Sequence, residues 1–193
     1  MSYDIFFVRR DPGQSFEDAL EAAEDPGAGG NVGGPLSSVE IEQWERILPH
    51  ARTIFGDVEE FVSDTVCELS HNETGVQLSV HPDEISITVP YWHSDEDSVS
   101  VMEKVYALAY AVEDETGLEG YDPQLDEPIR DARRRAAPAA LSATSRDVES
   151  GEIFRGGVKG EQWAEERATP KRAAEPADGN APARRRWWEF WKR

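Results

Sequence analysis

Four histidines and one cysteine are the side chains in this sequence that are best suited to metal binding or nucleophilic catalysis. His71 and His81 flank a predicted hairpin, and Cys67 lies shortly before it. Imidazole and thiolate are common zinc ligands, but no His-x-x-x-His, Cys-x-x-Cys or His-x-His spacing occurs. Cys67 stands among strand residues, where a thiol is more often buried than reactive. We therefore predict no catalytic residue, no metal site and no cofactor, and an enzyme is the less favoured class of protein.

Three aromatic residues, Tyr91, Trp92 and Tyr121, end predicted strands beside acidic loops. Aromatic rings with anionic neighbours can form a rim that suits an Arg- or Lys-rich ligand. The alternative, which we favour, is that the three rings close the edge of the core.

The last ten residues, RRRWWEFWKR, combine aromatic rings with cations. On a helical wheel the rings share one side and most of the charges share the other. Rings and cations together suit the surface of an anionic membrane. Two alternatives stay open, a peptide that docks in a partner's groove and a latch onto the rest of the chain. The residues that would bind are Arg184, Arg185, Arg186, Trp187, Trp188, Phe190, Trp191, Lys192 and Arg193.

Charge divides the chain into regions of opposite sign. Residues 1–130, which we call the acidic body, contain 29 acidic and 6 basic side chains, a net charge of −23, whereas the whole chain carries −19. Nucleic-acid binding depends largely on cationic contacts with phosphate. The acidic body is therefore not expected to bind DNA or RNA directly, and its charge favours a basic protein partner. Residues 131–183 have an Arg, Ala, Pro and Glu composition that predicts a mostly disordered connector to the tip at 184–193.

The pattern of the acidic body predicts an α+β domain. An antiparallel or mixed sheet with helices on one face fits the order of its elements, and a ferredoxin-like topology is the preferred one. Pro49 is expected to kink or divide the second helix. The predicted elements are a strand over 3–10, a short helix capped by Ser15, a helix from Ser37 to Gly56 with a capping box at Glu40, a strand over 64–71, a hairpin over 76–89, a helix from Ser98 or Ser100 to Gly117, and a strand over 118–121.

Three segments resemble a group of small, uncharacterised bacterial proteins: TGVQLS at 74–79, ITVPYW at 87–92 and TGLEGYDPQ at 116–124. Those proteins typically begin with a Met-x-Tyr-Asp strand, which residues 1–4 match. The resemblance covers roughly residues 1–130 and implies no activity, cofactor or catalytic residue. Immunity proteins that neutralise toxins are similarly small and acidic, which is an analogy only.

These observations predict a non-enzymatic interaction protein of the adaptor or immunity type. Its acidic body would bind a basic partner, and its tip would localise it. The alternative is a small-ligand-binding protein or enzyme with a cleft near the hairpin over 76–92. A single cysteine, no apolar run of spanning length and an N-terminus without the order of a signal peptide predict a cytoplasmic protein, peripheral at the inner face of the membrane if the tip binds lipid.

Overall fold

The computed structural model describes residues 2–24, 34–82, 84–93, 95–131 and 136–150. The tip at 184–193 and most of the predicted connector lie outside the described residues. The described residues from 2 to 145 belong to one compact unit. The elements are β1 (Ser2–Val8), α1 (Phe16–Glu24), α2 (Ser38–Phe55), β2 (Glu59–Val62), β3 (Cys67–His71), β4 (Val76–His81), β5 (Glu84–Pro90), α3 (Asp95–Thr116), β6 (Glu119–Asp122), β7 (Glu127–Pro128) and α4 (Ala137–Ser150).

The seven strands form one antiparallel sheet in the order β2-β3-β4-β5-β1-β6-β7. Its central part, β4-β5-β1-β6, has the strand order of a split β-α-β motif, with β1 between two later strands. Strands β2 and β3 are inserted between α2 and β4, and β7 extends the other edge. The protein is therefore α+β, as predicted, and the preferred ferredoxin-like order is present within a wider sheet.

Helix α2 begins at the predicted capping box, and both long helices end at the predicted glycines, but α3 begins at Asp95, three residues before Ser98, so its predicted start is wrong. The Ser37 hydroxyl accepts a hydrogen bond from the Glu40 backbone N–H at 3.4 Å, and the Glu40 carboxylate accepts one from the Ser37 N–H at 2.6 Å. Gly117 follows α3 with a φ of 68°, a conformation that favours glycine. Pro49 was expected to kink or divide α2, and α2 is not divided, because it runs as one helix from Ser38 to Phe55. The carbonyl that Pro49 cannot bond belongs to Glu45, an exposed residue, so water can satisfy it.

The sheet has one apolar face and one polar face because side chains alternate along each strand. On the apolar face Tyr3, Ile5, Leu78 and Ile87 are fully buried. Helices α2 and α3 pack together on this face: Phe55 of α2 lies against His71, and Tyr106 of α3 bonds Asp122. On the other face, Phe16 of α1 stacks on Tyr121 with 4.8 Å between the ring centroids.

Three elements were not predicted from the sequence. Strands β2 and β7 add to the two edges of the sheet, and α4 lies in the segment 131–183 that was expected to be a connector. Helix α4 packs because Ala137, Leu141 and Ser145 recur every four residues and share one buried face. The packed unit therefore extends past residue 130. No described helix combines the length and apolar character that crossing a bilayer requires.

Candidate functional site

The structure separates the three aromatic residues that the sequence suggested as a rim. Tyr91 is buried and Trp92, the next residue, is 62% exposed. Tyr121 lies on β6, two strands from β5, and its hydroxyl donates to Asp126. Tyr121 of β6 pairs with Phe6 of β1, and Phe6 pairs with Ser86 of β5. Tyr121 is therefore level with Ser86, which is four residues before Pro90 at the end of β5. The three residues therefore do not form one rim, and Trp92 is the most exposed of the three.

The residues considered for metal binding are also apart. His71 pairs with Val76 at one end of β4, whereas His81 is at the other end and on the opposite face by alternation. Cys67 is buried, and burial raises the pKa of its thiol, which favours the uncharged form. Among the described residues no group of three or more His, Cys, Asp or Glu side chains could hold a metal ion.

The acidic side chains at the end of α3 pair with arginine and histidine side chains of the chain itself. Arg130 pairs with both Glu113 and Asp114. Arg46 donates to Glu115 at 3.2 Å, and His50 lies 3.1 Å from the same carboxylate. These pairs offset the negative charge near the helix C-terminus, which the helix dipole disfavours.

A buried polar cluster that the sequence did not reveal lies between the sheet and α3. The Asp122 carboxylate is fully buried and accepts hydrogen bonds from the Tyr3 hydroxyl at 2.5 Å and the Tyr106 hydroxyl at 2.6 Å. The backbone N–H groups of Gln124 and Leu125 donate to its other oxygen. Burial raises the pKa of Asp122, and these four hydrogen bonds oppose the shift. The cluster is enclosed, so its role is to join β1, β6 and α3.

The polar face of the sheet offers a broader and more accessible surface. Two adjacent rows of side chains cross its strands, and we call these two rows the open sheet face. Most of their side chains are partly or fully exposed hydroxyl, amide or carboxylate groups. By register, the first row is Asp4, Thr88, Gln77, Ser70 and Glu59, and the second is Ser86, Ser79, Glu68 and Phe61.

Two exposed aromatic side chains lie at the margins of the open sheet face. Phe61, on the edge strand β2, is 57% exposed, and Trp92 follows the end of β5. The Trp92 ring lies against Gly75, whose φ is 65°: a Cβ there would come within 2.4 Å of the indole Cζ2. Beside this ring is a groove of about 390 Å³ lined by residues of the first row, including Thr88, Gln77 and Ser70.

Asp4 is a partly buried carboxylate of the open sheet face. The Ser2 hydroxyl lies 2.9 and 2.8 Å from its two oxygens, and the Thr88 hydroxyl donates to it at 2.9 Å. Burial raises the pKa of Asp4, and these hydrogen bonds oppose the shift. Both hydroxyl groups belong to residues that line the groove. The Asp4 carboxylate therefore contacts the groove through the Ser2 and Thr88 hydroxyls, which line the groove wall.

The N-terminal strand and the three segments that carry the resemblance noted in the sequence contact one another on the two faces of the sheet. Tyr3 at the N-terminus bonds Asp122 of the third segment, and Asp4 bonds Thr88 of the second. Gly75 of the first segment lies under Trp92 of the second. No protein-family model matches this chain, and no curated protein or solved structure matches it either.

Proposed function

We propose that this chain is a non-enzymatic interaction protein whose acidic body binds a basic protein partner on the open sheet face. The observation that carries the proposal is the combination, on one accessible face, of short polar side chains, carboxylates and two exposed aromatic rings. An adaptor or an immunity-like protein is the kind of protein that fits such a surface.

The charge balance supports a basic partner. Arg10, Arg46, Arg52 and Arg130 each pair with a carboxylate of the chain. Because the acidic body has 29 acidic and only 6 basic side chains, these pairs leave a large surplus of negative charge. Such a surplus attracts basic surfaces and raises association rates in a salt-dependent way.

The shape of the open sheet face supports protein contact. Serine and threonine side chains are short, so a partner can approach the strands closely. Exposed aromatic side chains such as Phe61 and Trp92 are the residue types that dominate binding energy at interfaces. The edge strand β2 carries Phe61 and Val62, and both are more than half exposed.

The proposal is tested by measuring the affinity of the full-length protein for a fluorescent peptide rich in Arg and Lys. The double variant Glu59→Gln/Glu68→Gln removes two charges from the open sheet face. The double variant Glu42→Gln/Glu45→Gln removes the same charge from the exposed side of α2. We expect the first to weaken binding about five- to tenfold and the second less than about twofold. Equal weakening by both variants would contradict the proposal.

We further propose a cytoplasmic location, with the tip at 184–193 binding an anionic membrane surface. The support is the sequence of the tip alone. Co-sedimentation of the full-length protein with anionic vesicles, compared with a variant in which Trp187, Trp188 and Trp191 are replaced by Ala, tests this part. Binding by both forms to the same extent would exclude the tip as the membrane-binding element.

The groove beside Trp92 supports the alternative function, a small-ligand-binding protein or an enzyme. Salt separates the two proposals. Binding of a basic partner weakens as ionic strength rises, because the charges are screened. A neutral small ligand held by the groove would raise the melting temperature equally at low and high salt.

A further inference from the structure

The groove beside Trp92 is built around a fixed aromatic ring. The indole and Pro90 both lie close to Gly75: a Cβ at position 75 would come within 2.4 Å of the ring and 2.8 Å of the Pro90 Cγ. The neighbouring His93 ring lies 2.9 Å, through Nε2, from the Thr74 carbonyl oxygen. Trp92 nevertheless stays 62% exposed. One part of the indole is held by the hairpin, and much of the ring remains accessible from the groove.

The walls of the groove supply neutral hydrogen-bond acceptors. Ser70, Asn72, Gln77 and Thr88 line it, and no Lys or Arg is among the residues that line it. Hydroxyl and amide oxygens accept hydrogen bonds from a donor-rich ligand.

Two carboxylates lie beside these walls at opposite ends of the first row, Asp4 partly buried and Glu59 exposed. Asp4 accepts from Thr88 at 2.9 Å, and Glu59 accepts from the Asn72 amide at 2.7 Å. His71 also lines the groove, and its Nδ1 is engaged 2.9 Å from the Thr74 hydroxyl. The charges of the two carboxylates favour a cation in the groove, and the hydroxyl and amide groups of the wall are neutral. This combination suits a planar, weakly hydrated cation with several donors better than a strongly hydrated ammonium group.

We propose that the groove binds an arginine side chain of the basic partner, with its guanidinium group stacked on Trp92. The guanidinium donates hydrogen bonds to the oxygens of the groove wall, and the aliphatic part of the side chain covers Pro90. This inference rests on the proposed function and specifies the chemistry that the open sheet face recognises. Arginine stacks on aromatic rings and presents five donors in one plane, which lysine does not.

The test compares two peptides of equal length and charge, one with arginine and one with lysine at the same positions, against the full-length protein. We expect the arginine peptide to bind about fivefold more tightly, the ratio that a cation–π contact of ~1 kcal/mol gives. Trp92→Ala should abolish this preference, and Trp92→Leu, which keeps apolar bulk without the π system, should abolish most of it. Val99→Ala, which shortens another exposed apolar side chain, should leave the preference unchanged.

The outcomes separate the inference from the proposed function. Equal affinity of the wild-type protein for both peptides, or a preference that survives Trp92→Ala, would overturn the arginine site while the binding of basic partners stands. Failure of both peptides to bind would overturn both proposals. Because Trp92 is largely exposed, its variants are expected to keep the wild-type melting temperature, which a thermal scan verifies.

Discussion

Strand β5 contributes Ile85, Ile87 and Val89 to one face of the sheet and Ser86 and Thr88 to the other. The first three are at most 3% exposed and pack under the long helices, whereas the last two remain partly exposed. The same backbone thus forms a core on one side and a recognition surface on the other. The difference shows that stability and binding are carried by alternate residues of the same strands, so each can be changed separately.

The largest expected effect comes from removing apolar volume on the covered face. We expect Ile87→Ala to lower the free energy of unfolding by ~2–5 kcal/mol, because a fully buried side chain leaves a cavity. Ser86→Ala, one residue earlier and on the open sheet face, should change it by less than ~0.5 kcal/mol. Urea denaturation of both variants measures the difference. Comparable losses in the free energy of unfolding would show that both faces of the sheet contribute equally to stability, which contradicts the comparison.

The next effect concerns the polar cluster on the covered face. Tyr106→Phe removes one of the two hydroxyl donors of the buried Asp122 carboxylate. We expect a loss of ~1–3 kcal/mol in the free energy of unfolding, because a buried acceptor is left less satisfied. Tyr110→Phe is the matched control, since its hydroxyl makes a longer bond of 3.4 Å to the Ile129 carbonyl. Equal losses in the free energy of unfolding from both variants would mean that the hydrogen bond to Asp122 is not the cause of the destabilisation.

A smaller effect distinguishes the two sides of the edge strand β2. Phe61 belongs to the open sheet face, whereas Val62 points to the other side by alternation, and both are more than half exposed. We expect Phe61→Ala to weaken binding of a basic peptide by ~1 kcal/mol, about fivefold, and Val62→Ala to have little effect. Fluorescence anisotropy measures both affinities. If Val62→Ala weakened binding more than Phe61→Ala, the partner would bind on the side of β2 opposite the open sheet face, which would contradict the proposal.

The smallest expected effect is a slope of stability against pH that arises from Asp4. Burial raises the pKa of this group in the folded state, so between about pH 4 and the raised pKa this group holds more protons in the folded protein than in the unfolded chain. Stability therefore falls as the pH rises from about 4 through the raised pKa, where the buried group becomes charged. Asp4→Asn should make this fall shallower when unfolding is followed at high salt, which screens the general repulsion of the acidic body. An unchanged slope would contradict this assignment.

Local patterns were enough to predict much of the fold. The alternation of Val76, Leu78 and Val80 with polar residues identified the β4-β5 hairpin and its wet face, and Ser37 with Glu40 identified the start of α2. These features depend on neighbours in sequence. Strand β2 was missed because EEFV has no alternation, and its pairing with β3 is what makes it a strand. Helix α4 was missed because its Ala- and Ser-rich composition has few apolar residues to indicate packing.

The candidate site could not be predicted from the sequence, because it depends on strand register and on contacts between residues that are far apart in the chain. Asp4, Thr88, Gln77 and Ser70 come from four strands and share a row only because of strand register. Tyr3 and Asp122 are 119 residues apart, so their hydrogen bond could not be inferred from spacing. Trp92 was identified as a candidate, but its support by Gly75 requires the hairpin geometry.

The most direct test of the central claim, that the open sheet face binds a basic partner, is to map a bound peptide by NMR on the ¹⁵N-labelled full-length protein. An arginine-containing peptide is titrated while backbone amide and indole N–H shifts are followed. We predict the largest shift changes at Ser79, Ser86, Thr88 and Trp92, with small changes along α2. Changes that are concentrated at Glu42 and Glu45 of α2, with the open sheet face unaffected, would contradict the account.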